Sequence, residues 1–446
     1  MSKKFSELGV HSNLIRGLNA LKIFEATEIQ EKAIPFILNN QSDFVGLGKT
    51  GTGKTAAFGL PLLQLVDVNK DNIQTLILTP TRELGQQIYN NLISYAAHLK
   101  IVSIACICGG VPIKPQIERL KQTVHITIAT PGRLIDLIQR GEIDITNTQN
   151  FVLDEADEMV TSLKEGLDKI VKVLPQKRRT FLFTATMSGG IKQLIQKYLS
   201  KEVTQVSVDM NVSGNRKINH EYVVVEPIEK LDVLMHFLNS NEKGQGIIFC
   251  KTKAAVNKLA KNLAINKFSS GAIHGSLSQG IRDRIMGQFR MGHINILVAT
   301  DLAARGIDVK GIAFVVNYHL PDRYDTYVHR SGRTARAGAD GLSLSIIQKE
   351  EIQELEDFER ELGITFHQFP KVDAESIEAN NGLLWARKIF KTKPNHNISS
   401  EYKQKIHTIF HHLTKDELVE KLFANYLLQN EAKPLIKETP KKKKSN

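Results

Sequence analysis

Short apolar segments rich in valine, isoleucine and leucine alternate along the chain with stretches whose apolar residues recur at helical spacing. In the first half, these segments centre on Leu76, Ile126, Val152 and Phe181. Continuous apolar runs of this length are typical of strands buried on both faces, and their alternation with helices predicts βαβ units in a parallel sheet. The pattern therefore predicts an α/β domain.

The same alternation begins again after a polar stretch at residues 209–219. The apolar runs of this second half centre on Ile247, Leu297, Val315 and Leu344. A chain of 446 residues exceeds what one hydrophobic core usually holds. We therefore expect two α/β lobes, residues 1–208 and 220–370, that are joined by the polar stretch as a linker.

Strand-like runs stop near Asp373, and helical spacing continues through residues 371–430, which we interpret as a helical extension. Thr414, with Glu417 three residues later, predicts a capping box at the start of the last helix. Three leucines then fall near one face of that helix: Leu418, Leu422 and Leu427. Residues 431–446 are basic and have few apolar side chains to bury, so we expect a disordered tail.

The net charge of the chain indicates the kind of molecule that it binds. The chain carries a net charge of +12, which favours a polyanion, either a nucleic acid or an anionic surface. The N-terminal segment has no apolar run of signal-peptide length, and no other segment approaches the roughly 18 apolar residues of a membrane-spanning helix. We therefore expect a cytoplasmic protein.

Three cysteines are present, Cys106, Cys108 and Cys250. Their spacing is neither the paired C-x-x-C of a zinc site nor the dense, even pattern of a disulfide scaffold. We interpret all three as reduced structural thiols.

A glycine-rich loop at residues 48–55 lies between an apolar run and a helical pattern. Its spacing is that of a phosphate-binding loop, in which backbone N–H groups approach phosphate oxygens, Lys54 reaches the β- and γ-phosphates and Thr55 binds Mg²⁺. The strand-loop-helix setting predicts a nucleoside triphosphate site. The nucleotide-binding residues that we expect here are Gly51, Thr52, Gly53, Lys54 and Thr55.

About a hundred residues later, an apolar run delivers an acidic turn that begins with Asp154 and Glu155. Carboxylates at the end of a buried strand can hold Mg²⁺ and orient an attacking water. We predict that Asp154 holds the metal through its water shell and that Glu155 activates the water. Together with the phosphate-binding loop, this turn predicts a hydrolytic site.

Three cations follow at close spacing in the second half, His329, Arg333 and Arg336. Arginines in polar segments are usually only solvated. In a two-lobed nucleotide hydrolase, however, such a cluster can face the phosphates from the other lobe, as arginine fingers do in phosphoryl transfer. On the residues alone both interpretations of Arg333 and Arg336 stay open: solvated side chains, or catalytic arginine fingers.

VLDEAD, the phosphate-binding loop and HRSGRTAR together resemble the DEAD-box RNA helicases of helicase superfamily 2. The resemblance runs from Phe5 to about Phe369, most of the chain. Further motifs stand in the family's order: TEIQEKAIP, PTRELGQQ, the Gly109-Gly110 pair, TPGR, TAT, IIFCKT, SQGIR and VATDLAARGID. The resemblance implies two RecA-like lobes in tandem, an RNA-stimulated ATPase activity, and ATP and Mg²⁺ as cofactors.

For the nucleotide, the resemblance implies that Gln30 reads adenine, Phe24 stacks on the base and Asp301 meets the ribose. It also implies that Arg333 and Arg336 reach the γ-phosphate. This sequence departs from the family pattern near the base: Ala26 stands where proline is usual, and Phe24 is one place nearer Gln30 than the usual aromatic residue, with Ile23 at the counted position.

The resemblance further implies residues that couple the nucleotide to lobe closure, namely Asp157, Thr184, Thr186 and His329. For RNA it implies contacts mainly to sugar and phosphate, with weak sequence specificity, salt-dependent binding and 2′-hydroxyl recognition. The implied RNA contacts are Arg82, Gly110, Thr130, Arg133, Thr252, Gln279, Arg282 and Thr300. The basic tail is then either a solvated extension or a non-specific RNA-binding segment.

The implied function is local separation of short RNA duplexes, in which ATP and RNA close the lobes together and hydrolysis resets them. An alternative is an RNA-stimulated ATPase that clamps RNA without separating strands. An inactive RNA-binding module is disfavoured because Lys54, Glu155 and Arg333 are all present, and a DNA helicase because of the Gln30 element and the DEAD spelling.

The extension at 371–430 is similar to the segment that follows the helicase core in bacterial cold-shock members of the family, where it mediates dimerisation. Two interpretations stay open for this chain: a homodimerisation region, or helices packed back on the second lobe. The same resemblance suggests ribosomal or structured messenger RNA as the substrate.

Overall fold

The computed structural model describes most of the chain. The described residues are 3–48, 51–99, 102–208, 218–241, 244–304, 309, 311–335, 340–370, 382, 385, 386, 389, 392 and 399–431. Arg336, most of the expected linker, the first part of the helical extension and the basic tail from residue 432 lie outside them. These expectations stay predictions.

The first half forms a seven-stranded sheet in which every pairing is parallel. Its strands, β1 to β7, are Phe44–Leu47, Thr75–Leu78, Ile104–Ile107, Ile126–Ala129, Asn150–Leu153, Arg179–Thr184 and Thr204–Ser207. The spatial order is β3-β4-β2-β5-β6-β1-β7. The four strands expected from the apolar runs, β2, β4, β5 and β6, are confirmed and lie inside the sheet.

The second half forms another seven-stranded parallel sheet. Its strands, β8 to β14, are Ile218–Val224, Gln245–Phe249, Ser270–Ile273, Ile296–Ala299, Ile312–Asn317, Gly341–Ile347 and Phe366–Gln368. The order β10-β11-β9-β12-β13-β8-β14 repeats that of the first sheet, strand for strand. The expected pair of tandem RecA-like lobes is therefore confirmed. β8 begins at Ile218, one residue before the expected end of the linker.

Helices connect the strands of both sheets. Those of the first half are α1 Ser12–Ala20, α2 Glu28–Asn39, α3 Lys54–Gln64, α4 Arg82–Tyr95, α5 Lys114–Leu120, α6 Pro131–Gln139, α7 Ala156–Ser162, α8 Lys164–Val173 and α9 Gly189–Tyr198. Those that follow are α10 Lys230–Ser240, α11 Lys253–Ile265, α12 Gln279–Arg290, α13 Asp301–Ala304, α14 Tyr324–Ser331, α15 Ile352–Leu362, α16 Ser400–Phe410 and α17 Lys415–Glu431.

Alternate residues of the central strands supply two cores, one on each face of the first sheet. Val152 and Phe181 pack with the cluster that includes α1 to α4, whereas Leu153 and Leu182 pack with the cluster of α6 to α9. Successive side chains of a strand point to opposite faces, so strands that are apolar throughout require helices on both sides. Each large side chain that is fully buried contributes about 1.5–3 kcal/mol.

This arrangement fixes where polar chemistry can stand. In parallel sheets the carboxyl ends of all strands meet at one edge, and ligands bind in the loops beyond that edge. The phosphate-binding loop follows β1, the acidic turn follows β5, and Thr130 follows β4. In the second sheet, Thr252 follows β9 and Asp301 follows β11. The expected site residues are thus carried on loops that rigid strands position.

The described residues group into two compact units. One comprises Met1–Pro227 and Lys243–Phe369 and contains both sheets; the other comprises Ile228–Glu242 and Pro370–Asn446.

In the second unit, Thr414 Oγ1 accepts a hydrogen bond from the Glu417 N–H at 3.2 Å. In return, the Glu417 carboxylate accepts one from the Thr414 N–H at 2.8 Å. The expected capping box is thereby confirmed. Trp385, Phe423 and Tyr426 form an aromatic cluster in the same unit.

Two further expectations concern the described residues alone. The three cysteines are free thiols. None of the described helices combines the length and the apolarity that a membrane span requires.

Candidate nucleotide and nucleic-acid site

The phosphate-binding loop is held from outside by the start of α2. Gln30 Oε1 accepts a hydrogen bond from the Thr27 N–H at 3.0 Å, and Gln30 Nε2 donates to the Gly53 carbonyl at 3.0 Å. Thr27 Oγ1 donates to the Thr52 carbonyl at 2.7 Å. The same glutamine therefore caps its own helix and positions the loop, a contact that sequence reasoning did not anticipate. Its expected contact with adenine stays a prediction.

Close approach of these groups requires glycine in the loop. Gly53 has φ +90°, and a Cβ there would lie 2.2 Å from Gln30 Nε2. Gly51 also has a positive φ. Lys54 is buried and donates from Nζ to the Gly48 carbonyl at 2.7 Å, so its ammonium group already lies inside the loop. Thr55 follows it in the first turn of α3.

Phe24 and Ile23 differ in exposure, which bears on the base-stacking prediction. Ile23 packs against the first core, whereas Phe24 is 62% exposed. An aromatic face that is open to solvent is available for stacking, and a residue packed in the core is not. Phe24 is thus accessible to a base and Ile23 is not, and stacking by Phe24 stays a prediction.

The acidic turn after β5 is strained at its central residue. Glu155 has φ +50° and ψ +51°, a left-handed conformation that side chains with a Cβ rarely adopt. Asp154 Oδ1 accepts a hydrogen bond from the Glu155 N–H at 3.0 Å. Such strain persists where the surrounding fold enforces it, commonly at functional sites. Here the left-handed backbone of Glu155 differs from the helical backbone of α7, which begins at the next residue.

Asp154 is buried, and burial raises the pKa of its carboxyl to about 7, against the opposing charge of Lys54. Such a buried carboxyl is ready to take a cation. Among the described residues, no group of three or more His, Cys, Asp or Glu side chains could hold a metal by itself. Mg²⁺ usually takes one or two protein ligands and completes its shell with phosphate and water, and its binding by Asp154 and the Thr55 hydroxyl stays a prediction.

His329, on α14 of the second lobe, contacts two carboxylates on α7 of the first. Its Nδ1 lies 2.5 Å from Glu158 Oε1, and its Nε2 lies 3.4 Å from Asp157 Oδ2. The same Asp157 oxygen accepts hydrogen bonds from the Ala185 N–H and from Thr186 Oγ1, each at 3.2 Å. The acidic turn, the TAT segment and the second lobe thus meet at one carboxylate.

These contacts set the charge states of His329 and Asp157. Burial alone would lower the pKa of His329, but hydrogen bonds and the charges of Asp157 and Glu158 raise it to about 10. For the carboxyl of Asp157 burial acts in the opposite direction and would raise the pKa, but the His329 contact holds this pKa well below its usual range. The imidazole is therefore charged at neutral pH and forms an ion pair between the lobes. Glu158 was missed by sequence reasoning.

Thr184 lies at the end of β6 and donates from Oγ1 to the Thr186 carbonyl at 2.9 Å. The backbone carbonyl of Thr184 also accepts a hydrogen bond from the Gly48 N–H at 3.0 Å. Through these two bonds, the TAT segment joins the phosphate-binding loop to the Asp157 carboxylate. This geometry agrees with the coupling role expected for Thr184 and Thr186.

Asp301 is held by a buried arginine that sequence reasoning also missed. Arg330 donates from Nε and Nη2 to the two Asp301 oxygens, at 2.5 and 2.8 Å. It further donates to the side chain of Asn317 at 2.9 Å and stacks over the ring of Phe249. Asp301 is therefore oriented by the second lobe before any ligand arrives. The signal was present, because Arg330 stands next to His329 in the same motif.

Arg333 is buried and borders a cleft that lies at the contact of the two lobes. Glu158, Asp301, His329 and Arg330 line the same cleft. The structure thus brings together one of the two expected arginine fingers, the expected ribose residue and the coupling histidine. Arg336 lies outside the described residues.

Four of the expected RNA-contact residues lie together where the lobes meet. An ideal Cβ at Gly110 would stand 3.6 Å from Gln279 Oε1 and 3.9 Å from Arg82 Nη1. Arg282 Nη2 lies 2.9 Å from the carboxylate of Glu83, its partner in the first lobe.

A second ion pair runs in the opposite sense, from Arg82 of the first lobe to Asp283 of the second, with 3.9 Å between Nη2 and Oδ2. Gln279 Nε2 donates to the same Asp283 at 2.8 Å. These reciprocal pairs form a polar surface that both lobes supply.

The loop that carries Gly109 and Gly110 is anchored by side chains. Thr130 Oγ1 accepts from the Gly109 N–H at 3.1 Å, and Arg133 Nη2 donates to the Val111 carbonyl at 2.9 Å. Gln116, buried on α5, donates from Nε2 to the Cys108 carbonyl at 3.0 Å. Thr130 and Arg133, expected to touch RNA, thus position this loop, and Gln116 is a third positioning residue that the sequence did not reveal.

The two remaining expected RNA contacts belong to the second lobe. Thr252 is exposed and caps α11 by accepting from the Ala255 N–H at 3.1 Å. Thr300 is half-buried between the end of β11 and α13. Both stand at the carboxyl edge of the second sheet, and their contact with RNA stays a prediction.

Comparison with known families gives three matches along the chain. Residues 27–194 match the DEAD/DEAH box helicase model, and residues 229–338 match the helicase conserved C-terminal domain. Residues 377–429 match a model described as the helical domain of a probable ATP-dependent RNA helicase. The three models together span both lobes and the extension.

Two curated relatives illustrate the similarity. An ATP-dependent RNA helicase CshA of Limosilactobacillus reuteri is 39% identical over 358 residues, which cover 80% of this chain and 71% of the relative. A DEAD-box ATP-dependent RNA helicase CshA of Bacillus cereus is 36% identical over 400 residues, which cover 89% and 75%.

Among solved structures, Saccharomyces cerevisiae Dbp5 bound to RNA and ADP BeF3 is similar, with a TM-score of 0.77 and 29% identity. The similarity covers 86% of this chain and all of that one.

The first prediction concerns the ion pair between the lobes. Replacing His329 with Gln leaves Asp157 and Glu158 buried without a cation when the lobes close, and breaking a buried pair costs about 3–5 kcal/mol. We expect the factor by which a non-hydrolysable ATP analogue raises RNA affinity to fall at least tenfold. Fluorescence anisotropy of labelled RNA with and without the analogue measures this factor. His293→Gln, at an exposed histidine, is the control and should behave as wild type.

The pH dependence of this factor follows from the same contact. A histidine whose pKa is raised on closure stabilises the closed state fully below its ordinary pKa near 6.5, and this contribution is lost as the pH rises towards about 10. The factor should therefore decline between these values in the wild type, and His329→Gln should lack this slope. A slope of equal size in both proteins would contradict the assignment.

A further prediction concerns the loop anchor. Gln116→Met keeps the volume of the side chain but removes the hydrogen bond to the Cys108 carbonyl, which is worth about 1 kcal/mol. We expect a several-fold higher RNA concentration at half-maximal ATPase stimulation, with unchanged ATPase activity in the absence of RNA. Gln122→Met, at an exposed glutamine of the same region, is the matched control. Equal RNA requirements in both variants would remove Gln116 from this role.

Proposed function

The chain belongs to the DEAD-box family of ATP-dependent RNA helicases, and we propose that it separates short RNA duplexes locally, with ATP and Mg²⁺ as cofactors. The observation that carries this proposal is the ion pair of His329 with Asp157 and Glu158, which joins the two lobes beside the nucleotide site. Because the pair spans the lobes, a change at the nucleotide is transmitted to the surface that binds RNA.

In this proposal, the nucleotide is bound by groups that the fold has already oriented. The loop of Gly51 to Gly53 offers its N–H groups to the phosphates, and Lys54 exchanges the Gly48 carbonyl for a phosphate oxygen. Gln30 and Phe24 take the adenine, and Asp301 takes the ribose. Bound Mg²⁺, held by Thr55 and Asp154, would neutralise charge on the phosphates.

Hydrolysis then depends on residues of both lobes. Glu155, next to Asp154 in the acidic turn, accepts a proton from the attacking water. Arg333, with Arg336, stabilises the negative charge that develops on the transferred phosphoryl group. Since Arg333 belongs to the second lobe, hydrolysis is fast only when the lobes are in contact.

RNA enters the mechanism through the polar surface of Arg82, Gly110, Gln279 and Arg282. These residues lie where the reciprocal ion pairs join the lobes, so a bound strand contacts both lobes at once. A ligand that binds the closed state better shifts the population towards it, and two such ligands raise each other's affinity by the same factor. Closure therefore couples RNA binding to ATP binding.

The RNA contacts are expected to reach sugar and phosphate and not base edges. Binding of this kind is weakly sequence-specific and weakens steeply with salt, because counterions are released from the phosphates. Contact with the 2′-hydroxyl group would distinguish RNA from DNA. A strand that is bound by both lobes separates from its complement only locally. Such local separation is sufficient to dissociate a short duplex.

The function is tested by measuring ATP hydrolysis with and without single- and double-stranded RNA, beside strand separation of a short RNA duplex. We expect RNA to stimulate hydrolysis and ATP to be required for separation. Hydrolysis without any stimulation by RNA would contradict the proposal. Stimulated hydrolysis without strand separation would instead support an ATP-dependent clamp.

The role of Glu155 gives a separate prediction. Glu155→Gln keeps the size of the side chain but removes the base, so ATP and RNA should still bind while turnover falls by about 10²–10⁴. Single-turnover hydrolysis and RNA anisotropy measure the two properties. Glu118→Gln, at an exposed glutamate of the first lobe, is the control. Unchanged turnover in Glu155→Gln would exclude Glu155 as the base.

For the helical extension we propose homodimerisation. Exposed apolar side chains recur on both of its described helices, and such surfaces commonly mark interaction sites. They are Tyr402, Ile406, Ile409 and Phe410 on α16, and Val419, Leu422, Phe423 and Leu428 on α17.

Light scattering of the full chain and of a chain that ends at residue 372 tests this proposal. We expect the full chain to have twice the mass of its monomer and the shortened chain to be monomeric. Ile409→Asp in the full chain should also give a monomer, whereas Thr408→Asp is the polar control. A full chain that is monomeric at micromolar concentration would contradict the proposal.

A further inference from the structure

Two of the three cysteines lie side by side at the end of β3. Their sulfur atoms, Cys106 Sγ and Cys108 Sγ, are 3.5 Å apart. Residues two apart on a strand share one face, and about 6.6 Å separates their Cα atoms in an extended strand. This separation is near the upper limit for a disulfide, which also needs Cβ atoms about 3.5–4.5 Å apart. Closing the bond therefore requires Cys108, which follows the last residue of β3, to move towards Cys106.

The two thiols differ in a way that suits oxidation. Cys106 is partly exposed, and a hydrogen bond from Cys108, aided by the charge of Arg82, lowers the pKa of its thiol despite partial burial. The hydrogen bond to Cys106 and burial raise the pKa of Cys108. A thiolate is the form that reacts with oxidants, and a neighbouring thiol resolves the product. Cys106 is therefore the reactive sulfur and Cys108 the resolving one.

Cys250 provides an internal contrast. It is fully buried at the end of β9, and burial raises the pKa of its thiol to about 12. An inert thiol of this kind is what all three cysteines were expected to be. The pair at β3 departs from that expectation, because the sulfur of one cysteine lies against that of the other.

The two cysteines are adjacent to the segments that carry the proposed RNA contacts. The Cys108 carbonyl accepts the Gln116 hydrogen bond that anchors the loop, and Gly109 and Gly110 follow it in the chain. A Cβ at Gly85 of α4 would lie only 2.9 Å from Cys108 Sγ, so this helix packs closely on the sulfur. Arg82 belongs to the same helix. Movement of this sulfur therefore reaches both the loop and the first turn of α4.

We propose that Cys106 and Cys108 form a peroxide-reactive dithiol site whose reversible disulfide weakens the grip of the first lobe on RNA. The effect on RNA rests on the function proposed above, but the thiol chemistry does not. Hydrogen peroxide and organic hydroperoxides are the class of oxidant. Because the two sulfurs are adjacent, the reaction needs no partner protein.

The chemistry balances in two steps. The Cys106 thiolate attacks one peroxide oxygen, the O–O bond breaks, and the products are a sulfenic acid at Cys106 and hydroxide. The Cys108 thiol then attacks the Cys106 sulfur, the S–O bond breaks, and water leaves with the Cys108 proton. The two sulfurs are oxidised by two electrons and the peroxide is reduced by two. A dithiol reductant reverses the bond by exchange.

Formation of the bond would shorten the S–S distance from 3.5 Å to about 2.05 Å. Cys106 lies within β3 and pairs with Ile128 of β4, whereas Cys108 follows the last residue of that strand, so the shift falls on Cys108 and on the loop that follows it. The shift therefore displaces the loop of Gly109 and Gly110 with respect to Arg82. Lys54 and Glu155 stand on other loops, after β1 and β5, so ATP hydrolysis in the absence of RNA should persist.

The chemical part is tested on the full chain with hydrogen peroxide. We expect the tryptic peptide that carries both cysteines to lose the mass of two hydrogens, and dithiothreitol to restore it. Cys106→Ser and Cys108→Ala should not lose this mass. A sulfenic or sulfinic acid at Cys106 without the two-hydrogen loss, or no reaction at either cysteine, would overturn the proposal.

The functional part compares RNA affinity before and after the same treatment. We expect the oxidised protein to bind single-stranded RNA roughly tenfold more weakly, as the loss of one charge-assisted hydrogen bond would cause. Dithiothreitol should restore the affinity. Cys106→Ser should keep its affinity under peroxide, whereas Cys250→Ser should respond as the wild type does.

An RNA affinity that does not change when the disulfide has formed would overturn the effect on RNA. A reduced protein that fails to bind RNA at all would instead contradict the proposed function. In that case the peptide mass alone decides whether the disulfide forms, so the two failures are distinguishable.

Discussion

The buried imidazole of His329, in the second lobe, contacts the carboxylates beside the nucleotide site of the first lobe. His329 lies between Asp157 and Glu158, and these contacts raise the pKa of His329 and hold that of Asp157 below its usual range. Buried charges are costly unless they are paired, so the contact acts as a switch that is either formed or hydrated. Because Asp157 also accepts hydrogen bonds from the segment that reaches the phosphate-binding loop, the nucleotide site and lobe contact are one connected network.

The rest of the structure serves to bring such loops together. Two sheets with the same strand order present their carboxyl edges, and each polar loop extends from a strand that is buried on both faces. Because rigid strands and short loops fix the positions of these side chains, residues of one lobe can contact residues of the other at about 3 Å. Two further ion pairs connect the lobes where RNA is expected to bind. Arg82 of the first lobe pairs with Asp283 of the second, and Arg282 of the second pairs with Glu83 of the first. Closure therefore completes both sites together.

The sequence predicted the central strands well because strands buried on both faces are apolar throughout. It did not reveal the four edge strands, β3, β7, β10 and β14, nor β8. Polar or half-exposed positions interrupt β7, β8, β10 and β14, whereas β3 is apolar throughout and was missed despite that pattern. Motif spacing pointed to charged residues that the structure places on the loops beyond the strands, and their contact with phosphate stays a prediction. It could not identify Gln116 or the loop contact of Gln30, because a hydrogen bond to a distant carbonyl leaves no local pattern. Glu158 and Arg330 adjoin known motif residues, but only the folded lobes reveal their partners.

The central claim is that ATP and RNA favour the same joined state of the lobes. The most direct test measures the dissociation constant of an ATP analogue with and without RNA, and that of RNA with and without the analogue. The account predicts that each ligand strengthens the other by the same factor, typically about 5- to 150-fold for coupled sites. Two dissociation constants that do not depend on the other ligand would contradict it.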